Sequence, residues 1–167
     1  MKIVEVKGDL FNTAGYTKEQ VMFAHCIASD FGMGAGIATQ FIEHFDMKDK
    51  LKKWSKEQGH PVKKVNKKFY GKSFPISSRP TIVGTAARIE NTYNLITKAF
   101  THEKPTMDDL TKSLQDMKKQ MVDNKEKFLA IPDMIGCGID GLERSQVLNT
   151  IRCIFLYTDI TIYIVRL

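Results

Sequence analysis

The sequence predicts an α/β fold in which a mixed central sheet lies between two layers of helices. Strand-like and helix-like segments alternate through the second half of the chain, which is typical of that three-layer arrangement. Two glycine-rich turns each stand between a predicted strand and a predicted helix. The chain has 167 residues, 43% of them hydrophobic and 26% charged, so we expect one domain over residues 1–167.

Two strands and two helices are predicted before residue 60. Apolar residues alternate in Lys2–Val6, and Gln20–His25 is a run of residues typical of a buried strand. A helix is expected to begin near Gly34, because apolar residues then recur at helical spacing. A short helix around Leu51 and Trp54 would bury one face and extend its lysines into solvent.

Three strands are predicted in the middle of the chain, over Val62–Tyr70, Thr81–Ile89 and Thr92–Thr97. β-branched and aromatic residues are frequent in all three segments. Residues 71–80 contain two prolines and three serines, which compete with regular backbone pairing and predict a loop.

The clearest helix follows Thr106, which is expected to be its N-cap, with two aspartates in the first turn near the positive end of the helix dipole. Its apolar stripe has the spacing 3, 4, 3 and 4 and consists of Met107, Leu110, Leu114, Met117 and Met121. A strand over Phe128–Ile131, a helix over Glu143–Phe155 and a closing strand over Ile160–Val165 complete the pattern. In such a sheet the ligand site is expected beyond the carboxyl ends of the strands.

Several classes of protein are excluded by composition. The apolar runs are far shorter than the roughly 20 residues that span a bilayer, and charged residues interrupt the N-terminal segment before a secretory core can form. Cys26, Cys137 and Cys153 have no C-x-x-C spacing and no ligand-type pairing with histidine. We therefore expect an intracellular protein, cytoplasmic or nuclear and not secreted, without membrane association, metal or cofactor.

The net charge of +6 is concentrated in one basic segment, Lys48–Lys72. That segment contains ten lysines and two carboxylates, Asp49 and Glu57. Such a block attracts phosphates or nucleic acid over long range, but charge runs also mark an ordinary solvated face. Both interpretations stay open at this stage.

The two glycine-rich turns, Gly32–Ile37 and Gly136–Gly141, are candidates for phosphate binding. Glycine lets the backbone approach a ligand closely, and N–H groups at a helix N-terminus bind anions. Two such turns together suit a diphosphate, although caps and tight turns would explain either one alone. The second turn also matches G-x-G-x-x-G, but only one helix and one strand follow it, which argues against a dinucleotide-binding Rossmann domain.

Three side chains near these turns have reactive chemistry. Lys98 ends a predicted strand where a ligand site would form, but a lysine there is more often a solvated terminator unless desolvation or a cationic neighbour activates it. Asp140 lies in the second glycine turn, where aspartates commonly bond their own backbone. Cys137 lacks a histidine partner in the local sequence and is more typical of a small buried cysteine.

Six short segments, which follow one another in order and are specific in combination, resemble the macro domain family. More narrowly, they resemble its terminal ADP-ribose protein glycohydrolase branch. These segments are Lys7–Phe11, Ala24–Asp30, Met33–Ala38, Leu95–Lys98, Lys104–Thr106 and Ile135–Asp140. The resemblance extends from about Lys7 to Leu167 and implies the three-layer α/β/α macro domain fold.

The resemblance implies a binding site for ADP-ribose. In that site Asp9 accepts a hydrogen bond from the adenine amino group, Leu10 lies beside the base, and Ser29 is a polar contact near the diphosphate or the distal ribose. The first turn would line the distal ribose and diphosphate with Gly34, Ala35, Gly36 and Ile37. The second turn would donate backbone N–H groups to the phosphates from Gly136, Cys137, Gly138 and Ile139.

The same resemblance implies a hydrolase. Lys98 would attack the anomeric carbon of the distal ribose and expel the carboxylate of a modified glutamate or aspartate, and Asp140 would then resolve the intermediate. This chemistry is coherent, because an amine nucleophile needs a nearby carboxylate to move protons. We therefore expect an ADP-ribosyl glycohydrolase that acts as a monomer on ADP-ribosylated proteins.

Two alternatives stay open. The glycine turns alone would suffice for a reader that binds ADP-ribose without turnover. Related macro domains also act on ADP-ribosylated nucleic acid or on ADP-ribose 1″-phosphate, and the Lys48–Lys72 segment is compatible with nucleic acid as a partner. The fold does not choose among these substrates.

Overall fold

The computed structural model describes residues 1–59, 81–138 and 140–166. These residues form six strands and four helices, and one short 3₁₀ turn over Thr13–Gly15 follows the first strand. The elements in chain order are β1 (Lys2–Lys7), β2 (Met22–Ala28), α1 (Ile37–Phe45), α2 (Met47–Glu57), β3 (Thr85–Ile89), β4 (Thr92–Lys98), α3 (Met107–Asp123), β5 (Phe128–Pro132), α4 (Arg144–Phe155) and β6 (Thr161–Arg166). The strand predicted over Val62–Tyr70 and the loop predicted over residues 71–80 lie outside the described residues.

The six strands form one mixed sheet in the order β1-β6-β5-β2-β4-β3. Five strands are parallel to their neighbours, and β3 alone runs antiparallel, paired with β4. The carboxyl ends of the five parallel strands therefore lie along one edge of the sheet, where ligands bind in folds of this kind.

Apolar side chains pack on both faces of the sheet. Leu95 and Ile164 belong to a buried cluster that includes the apolar stripes of α3 and α4. Ile96 and Val165, their neighbours along the strands, belong to a second cluster with α1 and α2. Because successive side chains of a strand point to opposite faces, this division confirms the predicted three-layer α/β/α arrangement.

The α3 helix follows its predicted pattern closely. The Thr106 hydroxyl oxygen accepts a hydrogen bond from the Asp109 backbone N–H at 3.1 Å, so Thr106 is the N-cap. Four positions of the predicted stripe are buried, namely Leu110, Leu114, Met117 and Met121. The helix is thereby fixed against β3 and β4, the strand that ends in Lys98.

Two elements begin three or more residues later than the sequence predicts. The α1 helix starts at Ile37 and not near Gly34, because Gly36 adopts a positive φ of 65° that interrupts helical geometry. The β3 strand starts at Thr85 and not at Thr81, because residues 81–84 form a turn in which the Thr85 backbone N–H and hydroxyl both donate to the Ile82 carbonyl.

The α2 helix has the one-sided burial expected of it. Met47, Leu51 and Ser55 are buried, whereas the lysines on the other side are exposed, namely Lys52, Lys53 and Lys56. Trp54 is only half-buried. The first part of the basic segment is therefore a helix face in contact with solvent.

Side chains of α3 bond to the outer edge of β3. The Asp116 carboxylate accepts a hydrogen bond from the Ala86 backbone N–H at 2.7 Å. The Gln120 side-chain amide donates to the Ala86 carbonyl at 2.8 Å. No helix among the described residues is both long and apolar enough to cross a membrane.

Candidate active site

A pocket of about 280 Å³ opens at the carboxyl ends of β2, β4 and β5. Its walls come from the end of β2, the loop that leads into α1, the end of β4 and the loop after β5. Eight predicted site residues line it together: Gly34, Ala35, Gly36, Ile37, Lys98, Gly136, Gly138 and Asp140. The sheet topology thus brings both glycine turns and both predicted catalytic side chains to one cavity.

Lys98 and Asp140 form an ion pair inside this pocket. The Lys98 Nζ atom donates a hydrogen bond to the Asp140 Oδ1 atom at 2.8 Å. The two side chains are only 9% and 14% exposed, respectively. The lysine at this strand end is therefore not a solvated terminator but a largely desolvated side chain paired with a carboxylate, and desolvation is one of the conditions under which a lysine can become nucleophilic.

An irregularity in β4 immediately precedes Lys98. Ile27 of β2 is aligned with Ile96, but the next residue, Ala28, is aligned with Lys98, so Thr97 is an extra residue on β4. A bulge of this kind changes the direction in which the following side chain leaves the strand. The pairing of β4 with β2 therefore determines where the Lys98 amine points.

The first glycine turn lines the pocket just before α1. Gly34 and Ala35 lie beside the cavity, Gly36 caps α1 with a positive φ, and Ile37 is the first residue of the helix. A side chain added at Gly34 would meet no atom within 4 Å, so this part of the pocket wall is bare backbone. Such a surface lets a ligand approach the peptide groups closely.

The second glycine turn also lines the pocket, with Gly136 and Gly138. Gly136 has a φ of 72°, and a Cβ atom there would lie 3.3 Å from the Leu110 side chain. Cys137, between the two glycines, does not line the pocket. Its backbone N–H donates to the Met134 carbonyl at 2.8 Å, and its thiol donates to the Ile135 carbonyl. Burial raises the pKa of the Cys137 thiol, which keeps it protonated.

Besides Cys137, three predicted ligand residues do not line the pocket, and one more is not described by the structure. Ile139 lies outside the described residues. Asp9 and Leu10 are not pocket-lining residues; the Asp9 carboxylate is exposed and accepts from the Phe11 backbone N–H, and the Leu10 carbonyl accepts from the Tyr16 hydroxyl. Ser29 is buried, and its hydroxyl donates to the Ala99 carbonyl at 2.7 Å. Their predicted contacts with ADP-ribose stay predictions.

The structure adds pocket residues that the sequence did not single out, among them Cys26, Thr101 and Met134. Cys26 lies on β2 and lines the pocket together with Lys98 and Asp140. Burial raises the pKa of its thiol strongly, and the nearby Asp140 carboxylate raises it further, so the thiol stays neutral. Strand adjacency is the signal that would have found Cys26, since β2 and β4 are neighbours in the sheet although distant in sequence.

The site combines a lysine, a carboxylate in hydrogen-bond contact with it and two stretches of bare backbone suited to anionic groups. Among residues 1–59, 81–138 and 140–166, no three His, Cys, Asp or Glu side chains are grouped so that they could hold a metal ion.

Comparison with known proteins identifies relatives that cover nearly the whole chain. No family model matches the sequence. The human ADP-ribose glycohydrolase OARD1 is 34% identical over 167 residues, which cover 99% of this chain and 92% of that protein. The macrodomain of Mycobacterium tuberculosis DarG superposes with a TM-score of 0.72 at 17% identity, covering 98% of this chain and 96% of that chain.

Thermosipho africanus DarTG in complex with ADP-ribose superposes with a TM-score of 0.67 at 19% identity, covering 99% of this chain and 42% of that longer chain. The two structures share the fold of this chain, and the human protein shares a third of its sequence. The chain therefore belongs to the macro domain family, in the ADP-ribose glycohydrolase branch that includes the human relative.

Proposed function

We propose that this chain binds ADP-ribose and hydrolyses the ester bond between ADP-ribose and a glutamate or aspartate side chain of a modified protein, with Lys98 as the nucleophile. The observation that carries the proposal is the largely desolvated Lys98–Asp140 pair in a pocket walled by two glycine turns. The name of the human relative and the ligand of the Thermosipho africanus structure support ADP-ribose as the bound group.

The pocket walls suit the phosphates of ADP-ribose. Gly34 of the first turn and Gly138 of the second both line the pocket. A Cβ atom added at either glycine would have no side chain within 4 Å. A diphosphate can therefore approach peptide N–H groups on both sides, as anions do at glycine-rich loops before helices. The distal ribose would then lie toward Lys98.

The first chemical step forms a covalent adduct. The Lys98 amine attacks the anomeric carbon of the distal ribose, the bond from that carbon to the ester oxygen breaks, and the electron pair leaves with the carboxylate of the target protein. Asp140, 2.8 Å from the amine, takes the proton that the nitrogen loses. The bond between that carbon and the ring oxygen then breaks, Asp140 returns its proton to the ring oxygen, and the adduct becomes a Schiff base between the Lys98 nitrogen and the opened sugar.

The second step releases the sugar. Water adds to the anomeric carbon and gives up a proton to the carboxylate, and the carbon–nitrogen bond then breaks as the lysine nitrogen is protonated. The products are free ADP-ribose and the unmodified carboxylate. One side chain pair thus serves as nucleophile and as proton carrier in both steps.

A second candidate substrate is ADP-ribosylated nucleic acid. Lys48, at the start of the basic segment, donates a hydrogen bond to the Gly32 carbonyl at 3.1 Å, so this segment begins beside the first glycine turn. The exposed lysines of α2 continue from there, namely Lys52, Lys53 and Lys56. Binding through these lysines predicts an affinity for nucleic acid that falls steeply as salt rises.

A release assay on glutamate-modified protein, ADP-ribosylated DNA and ADP-ribose 1″-phosphate tests both candidates. We expect the fastest release from the modified protein, and loss of release in Lys98→Ala and Asp140→Ala with ADP-ribose binding retained. Lys127→Ala, which removes an exposed lysine at the far end of the sheet, is the matched control and should release normally. Binding without release by the unaltered chain would show a reader and contradict the proposal.

We further propose that the protein acts inside the cell as a monomer. All three of its cysteines are free thiols, which is typical of reducing compartments. Light scattering in solution and fractionation of cells test the two parts separately. A stable dimer or a secreted product would contradict them.

A further inference from the structure

Two consecutive residues after β2, Ser29 and Asp30, hydrogen-bond to the segment that carries Lys98. The Ser29 backbone N–H donates to the Lys98 carbonyl at 2.9 Å. The Ser29 hydroxyl donates to the next carbonyl, that of Ala99, at 2.7 Å. The backbone on either side of the Lys98–Ala99 peptide is thus held from β2.

Asp30 continues this set of bonds and joins a second segment to it. Its Oδ2 atom accepts from the Thr101 backbone N–H at 2.9 Å, and its Oδ1 atom accepts from the Thr101 hydroxyl at 2.7 Å. The same Oδ1 atom accepts from the Gly32 backbone N–H at 2.9 Å. One carboxylate therefore connects the first glycine turn to the loop that follows Lys98.

The two segments joined by Asp30 are also in close contact. A Cβ atom added at Gly32 would lie 2.0 Å from the Thr101 hydroxyl oxygen, so only glycine fits against Thr101 in this arrangement. Thr101 itself lines the pocket, three residues after Lys98, whereas Asp30 is not a pocket-lining residue. Any effect of Asp30 on a ligand must therefore pass through its neighbours.

We propose that Asp30 is a positioning residue that fixes the loop after β4, and with it the direction of the Lys98 amine, relative to the first glycine turn. The proposal rests on the role of Lys98 in the proposed function. A sugar bound through its diphosphate to the glycine turn would then present its anomeric carbon to an amine held at a constant distance. Misplacement of reacting groups by about 1 Å costs on the order of 100-fold in rate.

The chemistry of the contacts requires a carboxylate at this position. All three partner groups are donors, two backbone N–H groups and one hydroxyl, and they occupy both oxygens. An asparagine has the same shape, but its amide nitrogen would face one of these donors and would form no bond with it. Asp30→Asn therefore removes a hydrogen bond without changing the volume of the side chain, so the effects of the two can be told apart.

The test compares Asp30→Asn with Asp116→Asn. Asp116 is a matched control, because it is also a half-buried carboxylate that accepts from a backbone N–H, at 2.7 Å, but it bonds to β3, away from the pocket. Release from glutamate-modified protein gives kcat and KM, and calorimetry with ADP-ribose gives Kd. We expect Asp30→Asn to lower kcat by about 100-fold and to change Kd by less than about threefold, while Asp116→Asn keeps the kcat of the unaltered chain.

Thr101 provides a second pair of variants in case Asp30→Asn does not fold. Thr101→Ser keeps the hydroxyl that donates to Asp30 and should keep most of kcat. Thr101→Val has the shape of threonine without the hydroxyl and should lower kcat with little change in Kd. If Thr101 had a purely structural role, the two variants would lose equal stability and would not differ in kcat.

The inference is overturned if Asp30→Asn and Thr101→Val keep full kcat, if their losses appear only in KM and Kd, or if Asp116→Asn loses as much kcat as Asp30→Asn. Failure of the proposed function has a different signature, since either the unaltered chain would then release no ADP-ribose, or Lys98→Ala would release it at the normal rate. The two results are read from the same assay and cannot be confused.

Discussion

A double-mutant cycle on Lys98 and Asp140 measures how strongly the two charges of the proposed catalytic pair are coupled. The cycle compares Lys98→Met, Asp140→Ala and the variant that has both changes. Each single change leaves one charge in the pocket without its counter-ion, whereas the double change removes both charges. We therefore expect the two single changes, added together, to lower the free energy of unfolding by more than the double change does.

The distance and burial of the pair set the expected magnitude. Unit charges 2.8 Å apart attract by about 6 kcal/mol at an effective dielectric constant near 20, and by about 1.5 kcal/mol in bulk water. The side chains are 9% and 14% exposed, so the attraction lies between these two figures, and the desolvation cost of each separate charge cancels in the cycle. We expect a coupling free energy of about 3 kcal/mol.

Urea unfolding at pH 7 and low salt gives the free energy of unfolding for all four proteins of the cycle. The same cycle on Lys127 and Asp159, an ion pair whose side chains are 49% and 74% exposed, is the control and should show no measurable coupling. Release assays on the same preparations should show no turnover in any Lys98 or Asp140 variant. If the double variant is more stable than the single variants but still releases no ADP-ribose, its loss of activity is not caused by unfolding.

A coupling at Lys98 and Asp140 as small as that of the exposed control pair would refute this reasoning. It would mean that water screens the pair as fully as it screens surface charges. The amine would then lack the desolvated environment on which its role as a nucleophile depends.

Three further predictions concern residues around the site and in the core. Burial lowers the pKa of His25 from 6.5 to about 4, so folding favours the neutral ring. The resulting stabilisation, on the order of 3 kcal/mol, is complete above about pH 6.5 and is lost as the pH falls toward 4; urea unfolding at several pH values should show this slope, and His25→Gln should remove it. Gly32→Ala should lower stability by about 1–3 kcal/mol, because its Cβ atom would overlap the Thr101 hydroxyl, and adding Thr101→Ala should restore part of the loss in thermal unfolding. Thr106→Ala removes the N-cap bond to Asp109 and should lower stability by about 1 kcal/mol, whereas Thr106→Ser should not.

Hydrophobic spacing and strand-end position predicted much of the fold. The α3 stripe from Leu110 to Met121 could be predicted because those side chains lie on one helical face and need only that face to be buried. The starts of α1 and β3 could not, because they depend on the positive φ of Gly36 and on the turn closed by Ile82 and Thr85. Such local backbone choices are not visible in a pattern of apolar residues.

The site was predictable in its components but not in its geometry. Lys98 could be placed at a strand end, and its pairing with Asp140 followed from the family resemblance. Thr97 is an extra residue only with respect to the pairing of β4 with β2, and these two strands are far apart in sequence. The direction of the Lys98 amine could therefore not be predicted. The contact of Ser29 with the ligand was predicted from the family resemblance, and the hydrogen bond that its hydroxyl donates to the Ala99 carbonyl could not be predicted from sequence spacing.

The contacts of Asp116 and Gln120 with Ala86 bear on the behaviour of the protein at high concentration. Edge strands readily add a strand from another molecule through their free peptide groups, and this is a common route to aggregation. At Ala86 both peptide groups already have partners on α3. An incoming strand would have to displace two hydrogen bonds at that position before it could extend the sheet, so α3 hinders strand addition at Ala86.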